Sequence, residues 1–72
     1  MNKANQRQRI REYIDKHGSI TIRQIQTELN INSASARISE MVTNGEPIHK
    51  ETIWYTKEDG TRSHYMRYSW ES

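Results

Sequence analysis

Seventy-two residues make one small domain at most, and Leu, Ile, Val and Phe together number only eleven, about 15% of the chain against the roughly 20% usual for folded domains. A net charge of +2 is too small to hold the chain open by self-repulsion, so the shortage points to a compact fold with a minimal core, too small to line a large substrate pocket. The absence of cysteine excludes disulfides, thiolate metal sites and a Cys nucleophile, and nothing resembles a membrane span of about 18 apolar residues or a secretory signal.

Residues 4–17 read as a helix. Ile10, Tyr13, Ile14 and His17 repeat at i, i+3, i+4, i+7 and form one buried stripe, with Gln6 a turn before it. Gly18 stops the helix, since glycine takes the left-handed conformation cheaply. Ile20 lies between Ser19 and Thr21 as a short strand or a buried anchor. Thr21 is a good N-cap for a second helix from Ile22 to Leu29, with Ile22, Ile25 and Leu29 on one side. Asn30 tolerates the left-handed turn that ends it, and Ile31 points inward. Asn32 or Ser33 caps a third helix running to about Asn44. Its expected buried face is Ala34, Ser35, Ile38, Met41 and Val42; its expected open face is Ser33, Ala36, Arg37, Glu40 and Asn44.

Beyond Gly45 the periodicity changes. Pro47 forbids further helix, and Ile48 to Thr56 is rich in residues that suit a pleated surface. Lys57 to Thr61 is polar and contains Asp59-Gly60, a strong hairpin signal. Ser63 to Trp70 returns as a second strand, with Met66, Tyr68 and Trp70 facing the helices. The run Ile53-Trp54-Tyr55 breaks the alternation and suggests a bulge.

Charge is uneven along the chain. Residues 1–24 hold Lys3, Arg7, Arg9, Arg11, Lys16 and Arg23 against Glu12 and Asp15, whereas 25–49 hold only Arg37 against Glu28, Glu40 and Glu46. A basic face on a neutral body is a common nucleic-acid footprint, and equally an ordinary solvated helix.

The order of helix, short strand, helix, turn, helix and hairpin fits an α+β winged helix-turn-helix plan, with the hairpin as the wing. The stretches His17-Gly18-Ser19-Ile20-Thr21, Leu29-Asn30-Ile31-Asn32 and Ala36-Arg37-Ile38-Ser39-Glu40-Met41, the exit Asn44-Gly45-Glu46-Pro47-Ile48, and Tyr68 with Trp70 resemble the small winged-helix domains of phage and prophage proteins over about residues 8–70. Asn30 stands where that family commonly has a turn glycine, and Ser33 where it often has a basic residue. The resemblance implies binding of double-stranded DNA in phage gene control, excision or replication, without a cofactor, in the host cytoplasm at the nucleoid.

In such a domain the third helix enters the major groove. The residues it offers are Asn32, Ser33, Ser35, Ala36, Arg37, Ser39 and Glu40. Arg37 alone could grip a guanine bidentately, or it could pair with Glu40 or with helix one. Glu40 is expected to form salt bridges. Thr21 and Arg23 at the start of helix two, and Lys57, Thr61 and Arg62 at the wing, are the candidate phosphate contacts. Lys3, Arg7, Arg9 and Arg11 could add a basic edge. Trp54, Tyr55, Tyr65, Tyr68 and Trp70 could stack bases of a single strand, but a core this short of aliphatic residues needs aromatics for packing. One helix reads few base pairs, so binding as a homodimer or as adjacent copies is expected. The competing reading is a protein-interaction winged helix that modulates a host protein. The three histidines lie in separate elements without a zinc or catalytic spacing, so an enzyme has no support.

Overall fold

The computed structural model describes residues 2–71. It contains α1 (Lys3–His17), β1 (Ser19–Thr21), α2 (Ile22–Thr27), α3 (Ala34–Thr43), β2 (Ile48–Thr56) and β3 (Arg62–Trp70).

Helix α1 begins where the Asn2 side chain accepts from the Asn5 amide at 2.9 Å. It ends at Gly18, whose φ of 90° would strain any side-chain-bearing residue, and whose amide donates to the Ile14 carbonyl at 2.7 Å. Ile10 and Ile14 are buried. His17, expected in the same stripe, is exposed: it falls one turn beyond the core and lies against Tyr13, with ring centroids 4.3 Å apart.

Thr21 starts α2 with a full capping box: its hydroxyl accepts from the Gln24 amide at 3.1 Å, and the Gln24 side chain accepts from the Thr21 amide at 2.9 Å. The regular helix stops at Thr27, two residues before the expected Leu29. The chain unwinds there through wider bonds, Leu29 to Gln24 at 3.3 Å and Ile31 to Ile25 at 3.1 Å, around Asn30 at φ 56°. This turn drops Ile31 into the core at 1% exposure.

In α3 the buried stripe is Ala34, Arg37, Ile38 and Met41. Ser35 and Val42, expected inside, are exposed, and Arg37, expected outside, is buried. The i, i+3, i+4, i+7 spacing places Arg37 inward, and its charge is met by partners on α1 and α3. Ser33 occupies the N-cap position but makes no side-chain capping bond.

The strands form one antiparallel sheet in the order β1-β3-β2. The short segment at 19–21 is therefore a third strand, pairing Ile20 with Tyr68. The β2–β3 register runs unbroken from Ile48↔Trp70 to Thr56↔Arg62, so the expected bulge at 53–55 is absent; the alternation breaks because the far hairpin exposes residues on both faces. Asp59-Gly60 closes the hairpin with Lys57 bonded to the Thr61 carbonyl at 2.8 Å and Gly60 at φ 89°. The core holds Ile10, Ile14, Ile20, Ile25, Ile31 and Met41, each at 1% exposure or less. Tyr68 closes it from the sheet, flanked by Ile48, Met66 and Trp70. Each fully buried Ile contributes about 1.5–3 kcal/mol. Trp70 is held to α1 by its indole N–H, which donates to Asp15 at 2.6 Å.

Candidate nucleic-acid interface

Burial of one stripe of α3 leaves the opposite face open. Asn32, Ser33, Ser35, Ala36, Ser39 and Thr43 are all exposed on or just before this helix. Their side chains are short, so the helix backbone can approach a partner closely. Between α3 and the sheet runs a groove of about 440 Å³, lined by Ser35, Ser39, Val42, Ile48 and Lys50 among others. Lys50 is exposed and makes no ion pair among the described residues. The sequence reading missed it. The signal was available: Lys50 is two residues from the inward-facing Ile48, so strand alternation puts both on the face that carries α3.

Arg37 does not belong to this open face. It is 6% exposed. Its guanidinium lies 3.1 Å from the Glu40 carboxylate and 3.4 Å from the Gln6 side-chain oxygen, while its Nε finds no acceptor. Glu40 is also held by Arg7 at 2.7 Å. One carboxylate thus joins two guanidiniums and ties α1 to α3. Of the two roles open to Arg37, the geometry matches the pairing one, and an outward grip on guanine would require the helix to release it.

Part of the basic character near the N-terminus is consumed in the same way. Arg11 forms a fork on Glu46, with contacts of 2.6 and 2.7 Å. The hydrogen bond and negative charge of Glu46 raise the Arg11 pKa further above its ordinary value. On α1, Lys3 and Lys16 remain exposed without an ion pair among the described residues, and further exposed cations lie beyond that helix. Arg23, Lys50 and Lys57 are exposed and make no ion pair among the described residues. Arg62 lies over the Trp54 ring at 5.3 Å.

Thr21 and Arg23 differ in what they can offer. The Thr21 hydroxyl and the Gln24 amide satisfy each other in the capping box, so the start of α2 has little left for a phosphate. Arg23 is exposed beside Tyr55 and Tyr65, in a groove of about 580 Å³ between α2 and the hairpin. At the wing, Lys57, Thr61 and Arg62 are all exposed. The Thr61 hydroxyl and amide both donate to Asp59, the amide at 3.0 Å. These bonds hold the Asp59 carboxyl below its ordinary pKa. Thr61 therefore shapes the turn, leaving Lys57 and Arg62 as its outward-directed cations.

A short-loop pair of helices, an open face on the second of them and a flanking hairpin define a helix-turn-helix module with a wing. The family model for the winged helix-turn-helix domain matches residues 5–71, and the chain belongs to that family. No curated protein and no solved structure matches it. No helix among the described residues is long and apolar enough to cross a membrane.

Proposed function

We propose that this chain binds double-stranded DNA in a sequence-specific manner, with α3 in the major groove and the 57–62 wing on the backbone or minor groove. The observation that carries this reading is the uncovered face of α3, built from Ser33, Ser35, Ala36, Ser39 and Thr43 and bordered by Lys50. Short hydroxyl side chains can bond several base edges, and Ala36 can touch a thymine methyl. Lys50, Lys57, Arg62 and Arg23 would take phosphates and set the register. Asn32 would contact the backbone where α3 enters the groove. Working as a homodimer, the domain would act as a phage-type transcriptional regulator or as an excision or replication accessory factor at the nucleoid of a host cell.

The test is duplex binding as a function of salt, followed by selection of DNA sequences with the purified protein. Affinity should fall linearly in a log–log plot against salt, and Lys50→Ala should reduce the magnitude of that slope by about 1 while weakening all sequences alike. Ser39→Ala should instead change which sequences are selected. A second reading is favoured by Val42, 54% exposed beside the groove, and by a recognition face without a cation of its own. It makes the module a docking domain for a host protein. Absence of duplex binding at about 50 mM salt would favour this second reading.

A further inference from the structure

The outer edge of β2 carries Lys50 and Glu51, but it is neither short nor bulged, and no other strand covers it among the described residues. It is nine residues long, from Ile48 to Thr56, lies at the margin of the sheet and keeps an unbroken register with β3. Pro47 precedes it and no proline falls within it.

The backbone shows which groups face outward. The Pro47 carbonyl accepts from the Glu71 amide, and the Lys57 amide donates to the Thr61 carbonyl, both at 2.8 Å. Bonding alternates along an antiparallel ladder, so the odd-numbered residues of β2 bond to β3. Lys50, Thr52, Trp54 and Thr56 therefore aim their N–H and C=O groups away from β3, toward the open edge. Trp54 and Tyr55 on this strand are also 56% and 43% exposed.

We propose that this edge pairs with the same edge of a second copy, antiparallel and centred on Thr52, to give a symmetric dimer with a continuous six-stranded sheet. The side chains select this register. It places Lys50 opposite Trp54 of the second copy, where the aliphatic stem of the lysine can lie along the indole and its ammonium stays free for a phosphate. It also places His49 opposite Tyr55 and Glu51 opposite Ile53, and no like charges face each other. Sliding the strands one way sets Glu51, and then Lys50, against its own copy. Sliding them the other way shortens the ladder. The pairing is isologous, as a two-fold dimer requires.

This geometry deepens the DNA-binding reading and rests on it for its functional meaning. The two-fold axis runs perpendicular to the sheet, so both helical layers lie on the same side. The two Ile48 ends, where α3 packs, are separated by eight residues of rise, about 27 Å. That is of the same order as the roughly 34–36 Å between half-sites one DNA turn apart.

Sedimentation equilibrium of the whole chain, without DNA, tests the dimer. The protein should sediment as a dimer. Thr52→Pro should be monomeric with an unchanged circular dichroism spectrum, because the amide it removes is not used by β3. The chain has no cysteine of its own, so Thr52→Cys should oxidise to a covalent dimer while Val42→Cys on α3 does not. A chain that stays monomeric at about 100 μM, a folded Thr52→Pro that remains dimeric, or equal cross-linking through Val42→Cys would overturn the proposal. The two readings fail separately: a dimer without duplex binding removes the DNA reading, and a monomer that binds duplex removes only this interface.

Discussion

The helical half and the far half of the hairpin differ in what holds them. Around α1, α2 and α3 most isoleucines are almost fully excluded from water, and Arg7, Arg11 and Arg37 are paired with Glu40 and Glu46. From Ile53 to Tyr65 the hairpin lies outside the buried core, and its aromatics are exposed: Trp54 against His64 at 4.8 Å, and Tyr55 against Tyr65 at 5.9 Å. The first region spends its apolar residues on folding. The second places large apolar surface where folding gains little from it, which is the signature of a contact surface. A chain with eleven Leu, Ile, Val and Phe residues in all can stabilise only one of the two regions from within.

The largest effects should therefore come from the helical half. Ile14→Ala, with no space to relax in a core this small, should destabilise the fold by about 2–5 kcal/mol and leave much of the protein unfolded. Urea denaturation followed by circular dichroism measures this; a loss below about 1 kcal/mol would place Ile14 outside the dry core. Arg37→Ala should come next, at about 1–3 kcal/mol, because it removes a buried partner of Glu40. Arg37→Met keeps the packed stem and should recover part of that loss. If Arg37→Ala kept full stability and lost only DNA affinity, Arg37 would belong to the contact face after all.

How much of this was legible in the sequence follows the same division. The helical half was readable because its signals are local. Gly18 and Asn30 have the positive φ that their side chains, or lack of one, suggested, and Thr21 caps α2 through its own hydroxyl. Arg37 was misplaced because a charge outranked helical spacing in the reading. Its burial depends on Gln6 and Glu40, and Gln6 is thirty-one residues away in the chain. Neutralisation of Arg7 and Arg11 by Glu40 and Glu46 was hidden for the same reason. In the hairpin, Lys50 was legible from Ile48 two residues before it, whereas the break in alternation at Ile53, Trp54 and Tyr55 left their facing open. An unbroken register resolves that facing, and only strand pairing could supply it.

Changes in the far hairpin should be mild for stability and specific for contact. Trp54→Ala should alter folding stability by no more than about 0.5 kcal/mol, since the indole is over half exposed. A loss comparable to that of Ile14→Ala would erase the distinction between the two regions. If the hairpin is a contact surface, the same substitution should still weaken dimer sedimentation or duplex binding.

The smallest effect should lie at the wing tip, where one carboxylate adds to the backbone bonds that close the turn. Asp59 accepts from the hydroxyl and amide of Thr61, and its pKa is lowered from 3.8 chiefly by the hydroxyl bond. A group with a depressed folded pKa adds stability above its unfolded pKa, and that contribution is lost as pH falls through the folded value. The latch should thus be intact at neutral pH and open only in acid below the ordinary carboxylate range. The Thr61 amide resonance in a pH titration by nuclear magnetic resonance reads this directly, and Asp59→Asn should abolish the transition. The Ile14 amide should not follow it, because the turn is at the opposite end of β3 from Trp70, which bonds to Asp15 of α1. A shift of Ile14 in step with Thr61 would mean that the wing and the core open together, and the far hairpin would then be part of the folding unit.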